Sequence, residues 1–279
     1  MAEVISSAAN PLVKRVRALA DRKHRRRESA FVVQGIQPVW QAVEAGADID
    51  ALIVAPDLLR HPGAVAMVAG QEASGVRVAR LSGELFGRIA DRDGPSGLAA
   101  IVRSAPLALA DLAVGTGSLF AALHSAGNPG NVGTIIRTAS AVGADGVILI
   151  GPSADPHDPI AVKASMGAIF TVPVAPASSA AEFLDWARGG GATIAATSAR
   201  GSVSCWDADL APPLVVLLGS EGAGLPDDLL AAADLRIAIP MTGTAESLNL
   251  AVAAGVLLYE VRRRTGLAGP RAPGRPLCQ

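Results

Sequence analysis

Three short segments in the C-terminal half carry Asn131, Arg137, Glu221, Ser247 and Asn249 among glycines, apolar residues and further small polar ones. The first runs Asn128-Pro129-Gly130-Asn131-Val132-Gly133-Thr134-Ile135-Ile136-Arg137. The second runs Leu218-Gly219-Ser220-Glu221-Gly222-Ala223-Gly224-Leu225. The third is Ile239-Pro240-Met241 followed by Ser247-Leu248-Asn249-Leu250. Amides and a carboxylate can hold a hydroxyl, and a guanidinium can hold an anion. Glycines bring backbone donors and acceptors close to a ligand. The kit suits a site for a small cofactor and a hydroxyl-bearing substrate.

Each residue alone has an ordinary explanation. Ser247 or Asn249 would serve as a helix cap, and Glu221 as a capping group in a tight turn. Arg137 would be a surface arginine, although no other Lys or Arg occurs between Arg103 and Lys163. The glycines Gly127, Gly130 and Gly133 follow G-x-x-G-x-x-G, which is not the G-x-G-x-x-G dinucleotide fingerprint. No G-x-x-x-x-G-K-[ST] loop for a nucleoside triphosphate occurs. A nicotinamide-dependent oxidoreductase is therefore disfavoured.

The elements around these segments alternate. Apolar runs at 119–124, 146–150, 169–174, 192–197, 214–218 and 235–239 read as strands. Helices fit at about 131–142, 159–167, 179–188, 226–233 and 247–264. Strands apolar throughout and separated by helices indicate an α/β fold with a parallel sheet covered on both faces. The first segment follows strand 119–124, the second strand 214–218 and the third strand 235–239. Ligands of open α/β sheets bind at such C-terminal strand ends.

The first hundred residues read as a smaller α/β domain. Asn10-Pro11 caps a helix carrying Leu12, Val13, Val16 and Leu19. Strands are expected at Phe31–Val33, Leu52–Val54, Val76–Val78 and Leu98–Val102, the last after an Asp93-Gly94-Pro95 turn, with a helix at Val39–Ala45 closed by Gly46. The expected domains are 1–105, a linker at 106–117, 118–265, and a flexible Pro- and Arg-containing tail at 266–279.

Among 279 residues, half are hydrophobic and only 3% aromatic, so the core must be mostly Ala, Val, Leu and Ile. No apolar run approaches the ~20 residues of a membrane-spanning helix, and the N-terminus lacks a signal-peptide pattern. The two cysteines, Cys205 and Cys278, form neither a disulfide framework nor a metal spacing; a reducing cytoplasmic setting without a metal is expected. The net charge of −1 hides an asymmetry: residues 1–27 carry +6 and the remainder −7. The basic arm fits a polyanion, or equally a solvated helix face.

Taken together, the three segments resemble the motifs of the SpoU, or TrmH-like, RNA 2′-O-ribose methyltransferases of the SPOUT superfamily. N-x-G-x-x-x-R is met by Asn131, Gly133 and Arg137; L-G-x-E-x-x-G-[LV] by Leu218 through Leu225; I-P-M-x-G…S-L-N by Ile239 through Met241, Gly243 and Ser247 through Asn249. Lys163 through Ala168 resembles the linking helix. The N-terminal part resembles the family's ribosomal-protein-like substrate domain through Arg27–Gly35 and Asp93–Gly97, with Gln34 where that family would have Glu.

The resemblance implies S-adenosylmethionine bound in a C-terminal trefoil knot at a homodimer interface, and methylation of a ribose 2′-hydroxyl, of 23S ribosomal RNA before transfer RNA. A non-catalytic RNA-binding or ribosome-assembly protein is the alternative; it predicts eroded motifs, whereas all five polar residues are present. The implied catalytic set is Arg137, Asn131, Glu221, Ser247 and Asn249. The implied cofactor set is Thr197, Leu218, Gly219, Ile239, Met241, Ser247 and Leu248. Lys14, Arg15, Arg22, Lys23, Arg25, Arg26 and Arg27 are the expected RNA contacts.

Overall fold

The computed structural model describes residues 4–90, 94–105, 107–198 and 203–266. All of the tail expected at 266–279 except Gly266, and Asp93 of the expected turn, lie outside them. Contacts group the chain into two units, one on residues 4–105 with 157–171, the other on 107–156 with 172–266. Segment 157–171, inside the stretch expected to form the second domain, thus packs with the first unit.

The first unit begins with β1 (Val4–Ile5), α1 (Pro11–Ala18), α2 (Arg22–Glu28), β2 (Ala30–Gln34) and α3 (Ile36–Glu44). It continues with β3 (Ile49–Val54), α4 (Pro62–Ala73), β4 (Val78–Leu81), α5 (Gly83–Gly87) and β5 (Leu98–Arg103). The Asn10 side chain accepts from Leu12 N at 2.9 Å ahead of Pro11 at the first helical position. Asp21 caps α2 in the same way. The sheet is ordered β1-β4-β3-β5-β2, with β5 antiparallel to both neighbours. Val13, Leu19, Ile53, Leu81, Phe86 and Ile101 fill one face. Gly97 leads into β5 at φ 77°, and a Cβ there would sit 2.5 Å from Leu59 N, so the approach of the 55–59 turn requires glycine.

The second unit contains β6 (Leu119–His124), α6 (Pro129–Ala141), β7 (Gly146–Ile150), then, after α7 (Pro159–Ser165) of the first unit, β8 (Val174–Ala177) and α8 (Ala180–Gly189). It ends with β9 (Thr193–Thr197), β10 (Val203–Ser204), β11 (Leu214–Leu218), α9 (Asp227–Ala232), β12 (Leu235–Ala238) and α10 (Leu250–Thr265). Its seven strands run β10-β12-β9-β11-β6-β7-β8, every pair parallel. β11 is buried throughout. Phe120, Ile148, Phe183, Ile194, Val215 and Leu229 form the core on one face. Parallel pairing sends the C-terminal ends of β12, β9, β11 and β6 to one edge, where the three motif segments begin.

Two strand expectations are corrected. The run 169–174 is not a strand: Ala168–Phe170 is a 3-10 turn after Met166 and Gly167 in left-handed conformations, and β8 starts only at Val174. Phe170 stacks 6.0 Å from Phe31, so its apolarity serves packing in the first unit. The strand expected at 76–78 lies at Val78–Leu81, because Val76 N still closes the end of α4 on Gln71 O. β1 and β10, of two residues each, α2, which carries no apolar residue, and α4, with uneven apolar spacing, are elements that the sequence pattern does not mark.

Candidate active site

α6 starts at the end of the β6 loop. Asn128 caps it, its Oδ1 accepting from Gly130 N at 2.8 Å and Asn131 N at 3.2 Å. That fixes Asn131 in the first turn, where it is 8% exposed. Beyond β11 the chain folds back on itself: Ser220 N donates to Gly224 O at 3.1 Å and Gly224 N to Ser220 O at 3.0 Å. A Cβ on Gly219 would meet Gly224 C at 2.1 Å, so only glycine permits this fold-back. Glu221 projects from the turn. Asn249 caps α10, its Oδ1 accepting from Ala251 N and Val252 N.

These three side chains meet. Asn131 Nδ2 donates to Glu221 Oε1, and Asn249 Nδ2 donates to Asn131 Oδ1 at 3.2 Å. A carboxylate accepting from an amide that itself accepts from a second amide forms a fixed polar chain. The residues come from all three motif segments, separated by 90 and 118 positions from Asn131. The capping explanation for Asn249 is also correct, since one side chain does both.

Arg137 lies exposed on α6, less than two turns beyond Asn131, and makes no hydrogen bond or ion pair among the described residues. Ser247 is likewise exposed in the 239–249 segment without a hydrogen-bond partner among them. Thr197 and Leu218 end neighbouring strands, with Leu217 in register with Ala196. Ile239 follows β12, whose Ile237 pairs with Thr197. Gly219 is buried beside them, while Met241 and Leu248 stay 39% and 37% exposed on the loop between β12 and α10. Apolar side chains with strand-end backbone groups fit an uncharged heterocycle such as the adenine of the expected cofactor.

One residue joins the site beyond those expected from the motifs. Asn128 supplies the cap that sets Asn131, and Asn directly before Pro is the sequence signal for it. His124, the last residue of β6, has a buried Nδ1 with no hydrogen-bond partner among the described residues; nothing in its sequence context marks it.

Of the expected RNA contacts, Lys14, Arg22, Lys23, Arg26 and Arg27 are exposed on α1 and α2. Arg25 is corrected: it is 4% exposed, donating to Leu19 O and Ala20 O and pairing with Asp158 at 3.5 Å. Arg15 is also engaged, with Asp50 and with Glu28 at 2.7 Å, and these carboxylates hold its guanidinium more firmly protonated. Helix geometry, invisible in a run of like charges, turns both inward.

The profile of the SpoU rRNA Methylase family matches residues 118–259, and that of an MRM3-like substrate binding domain matches 10–100. The chain is 32% identical to a 23S rRNA (uridine(2479)-2′-O)-methyltransferase of Streptomyces viridochromogenes, covering 88% of this chain and 87% of that one. It is 28% identical to a 23S rRNA (guanosine(2553)-2′-O)-methyltransferase of Bacillus subtilis, covering 92% and 98%. The crystal structure of an AdoMet-bound rRNA methyltransferase from Sinorhizobium meliloti superposes with a TM-score of 0.86 at 36% identity, over 94% of this chain and 98% of that one.

Proposed function

The chain belongs to the SpoU rRNA methylase family, and from that membership we propose that it methylates a ribose 2′-hydroxyl of 23S ribosomal RNA, using S-adenosylmethionine. The relatives act on different bases, uridine and guanosine, at the same sugar position. The reacting group is the ribose, which leaves base choice to the RNA-binding surface.

S-adenosylmethionine supplies a methyl group on a positively charged sulfur. Thr197, Leu218, Gly219, Ile239, Met241, Ser247 and Leu248 are the residues that would hold it. A 2′-hydroxyl accepting that methyl group would have to give up its proton, here to solvent. A guanidinium is a planar cation with several donors, so the role of Arg137 is to orient the hydroxyl and an adjacent phosphate and to stabilise the developing oxyanion. Asn131, Glu221, Asn249 and Ser247 position the hydroxyl and the cofactor loops.

The observation that carries this reading is the Glu221–Asn131–Asn249 chain at the cofactor edge of the sheet. Arg137→Ala tests it. S-adenosylmethionine affinity by calorimetry should stay within about twofold, while methyl transfer to 23S rRNA falls by at least about 100-fold, the scale of losing one oxyanion donor. Undiminished transfer would remove Arg137 from the mechanism.

The remaining assignments rest on the family. A trefoil knot in the C-terminal domain, an arrangement rare among other folds, goes with that membership. The protein acts as a homodimer: Val252 and Tyr259, two turns apart on α10, are each 52% exposed. Lys14, Arg22, Lys23, Arg26 and Arg27 contact RNA phosphates. No helix among the described residues is long and apolar enough to cross a membrane; the enzyme works in the cytoplasm, where ribosomes mature.

A further inference from the structure

The first unit contains a cavity of about 370 Å³ that no step of the methyl transfer uses. This lies within the range of small-ligand sites, roughly 300–1,000 Å³. Its accessible apolar wall comes from Ala20, Ile89, Ala90 and Pro95, over a floor of buried Val16, Val32, Phe86, Leu98 and Val162. Its polar content sits at the rim, where Arg17, Arg88 and Lys163 are all exposed. Gln34 closes one side, its amide fixed by donating Nε2 to Ile89 O at 3.0 Å. Among the described lining residues there is no carboxylate. Arg88 shares its charge with Glu84 at 2.6 Å, an exposed pair that holds it only loosely.

A dry wall under a cationic rim selects a ligand that is apolar on one side and anionic on the other. An unstacked nucleotide has that division: a base to shelter and phosphates on either flank. RNA is read mostly at such splayed-out nucleotides. Position argues for RNA rather than a free metabolite. α1 supplies Val16 to the floor and Arg17 to the rim, while Lys14 lies exposed on the same helix and Arg22, Lys23, Arg26 and Arg27 on the helix that follows. The cavity is therefore continuous with the basic arm. Gln34 contributes to this: a carboxylate at that position would repel the same phosphates.

We propose that this cavity receives one unstacked nucleotide of the ribosomal RNA, its base against Ala20, Ile89 and Pro95 and its flanking phosphates on Arg17, Arg88 and Lys163. The proposal rests on the RNA-methyltransferase reading and adds a docking subsite that is not where the methyl group is transferred.

The test blocks the cavity and, separately, discharges its rim, in the full chain. Ala20→Trp, at an exposed lining position, fills the mouth; Ser96→Trp does so from the opposite side should the first fail to fold. Binding of a 23S rRNA fragment, measured by fluorescence anisotropy, should weaken at least about tenfold, the scale of one lost base-stacking interaction. S-adenosylmethionine affinity should stay within about twofold, and kcat at saturating RNA should be unchanged. In the Arg17→Ala/Arg88→Ala double variant, the slope of log affinity against log salt should fall by about 1.4, at ~0.7 for each single-strand phosphate that is no longer neutralised. Wild-type RNA affinity in both tryptophan variants overturns the subsite. A free nucleoside monophosphate that saturates the cavity at micromolar concentration without competing with RNA also overturns it, in favour of a metabolite site. If the unmodified protein neither binds nor methylates rRNA, it is the function that fails.

Discussion

The link between Asn131 and Glu221 can be measured directly. Asn131 Nδ2 donates to a carboxylate, and a hydrogen bond to a charged group is worth ~1.5–3 kcal/mol. If that bond holds the hydroxyl-positioning geometry, Asn131→Ala and Glu221→Ala should each lower kcat/KM by about 10- to 150-fold, at about 1.36 kcal/mol per decade. The double variant should be little worse than either single one, because both remove the same bond. The coupling energy from the four kcat/KM values should then be about 1.5–3 kcal/mol. A companion cycle between Asn131 and Asn249, joined by a neutral bond of 3.2 Å, should give about 1 kcal/mol. The assay is transfer of labelled methyl to an rRNA fragment, with cofactor affinity measured alongside to separate binding from chemistry. Additivity within about 0.5 kcal/mol in the first cycle would refute a shared positioning role.

Other consequences follow from single residues. Gly219→Ala puts a Cβ 2.1 Å from the backbone of Gly224, so the turn must open. Calorimetry should then show a loss of S-adenosylmethionine affinity of about tenfold or more, the scale of ~1–3 kcal/mol of backbone strain, and unchanged affinity would separate the turn from the cofactor site. The Glu260 carboxyl is pulled down to about 2 by hydrogen bonds from Arg263 and then Arg264. A depressed carboxyl stabilises the fold above its ordinary value near 4.5 and loses that contribution as pH falls through 2, at most about 3 kcal/mol and nearer 2 because Arg263 is largely exposed. Glu260→Gln should flatten the pH dependence of urea midpoints across that window; an unaltered slope would assign the acid sensitivity elsewhere. Val252→Glu with Tyr259→Glu should convert a dimer to a monomer in sedimentation velocity, and an unchanged dimer would place the interface off this face of α10.

The sequence by itself determined the alternating architecture, because strands such as Leu214–Leu218 are apolar throughout and their bounds are set by glycine and proline. It also determined the chemical kit, since motif residues are fixed in type and spacing within each segment. It misplaced the strand near 169–174, where two consecutive left-handed residues override an apolar run. Which cations face outward was decided only by tertiary structure: Arg25 and Arg26 are neighbours in a run of like charge, yet one satisfies carbonyls inside the first unit and the other meets solvent. The same holds for Asn131, Glu221 and Asn249. Each alone is a cap or a turn residue, and no local rule connects positions 118 residues apart. Parallel pairing of β12, β9, β11 and β6 delivers their loops to one edge, and there a carboxylate and two amides close on one another.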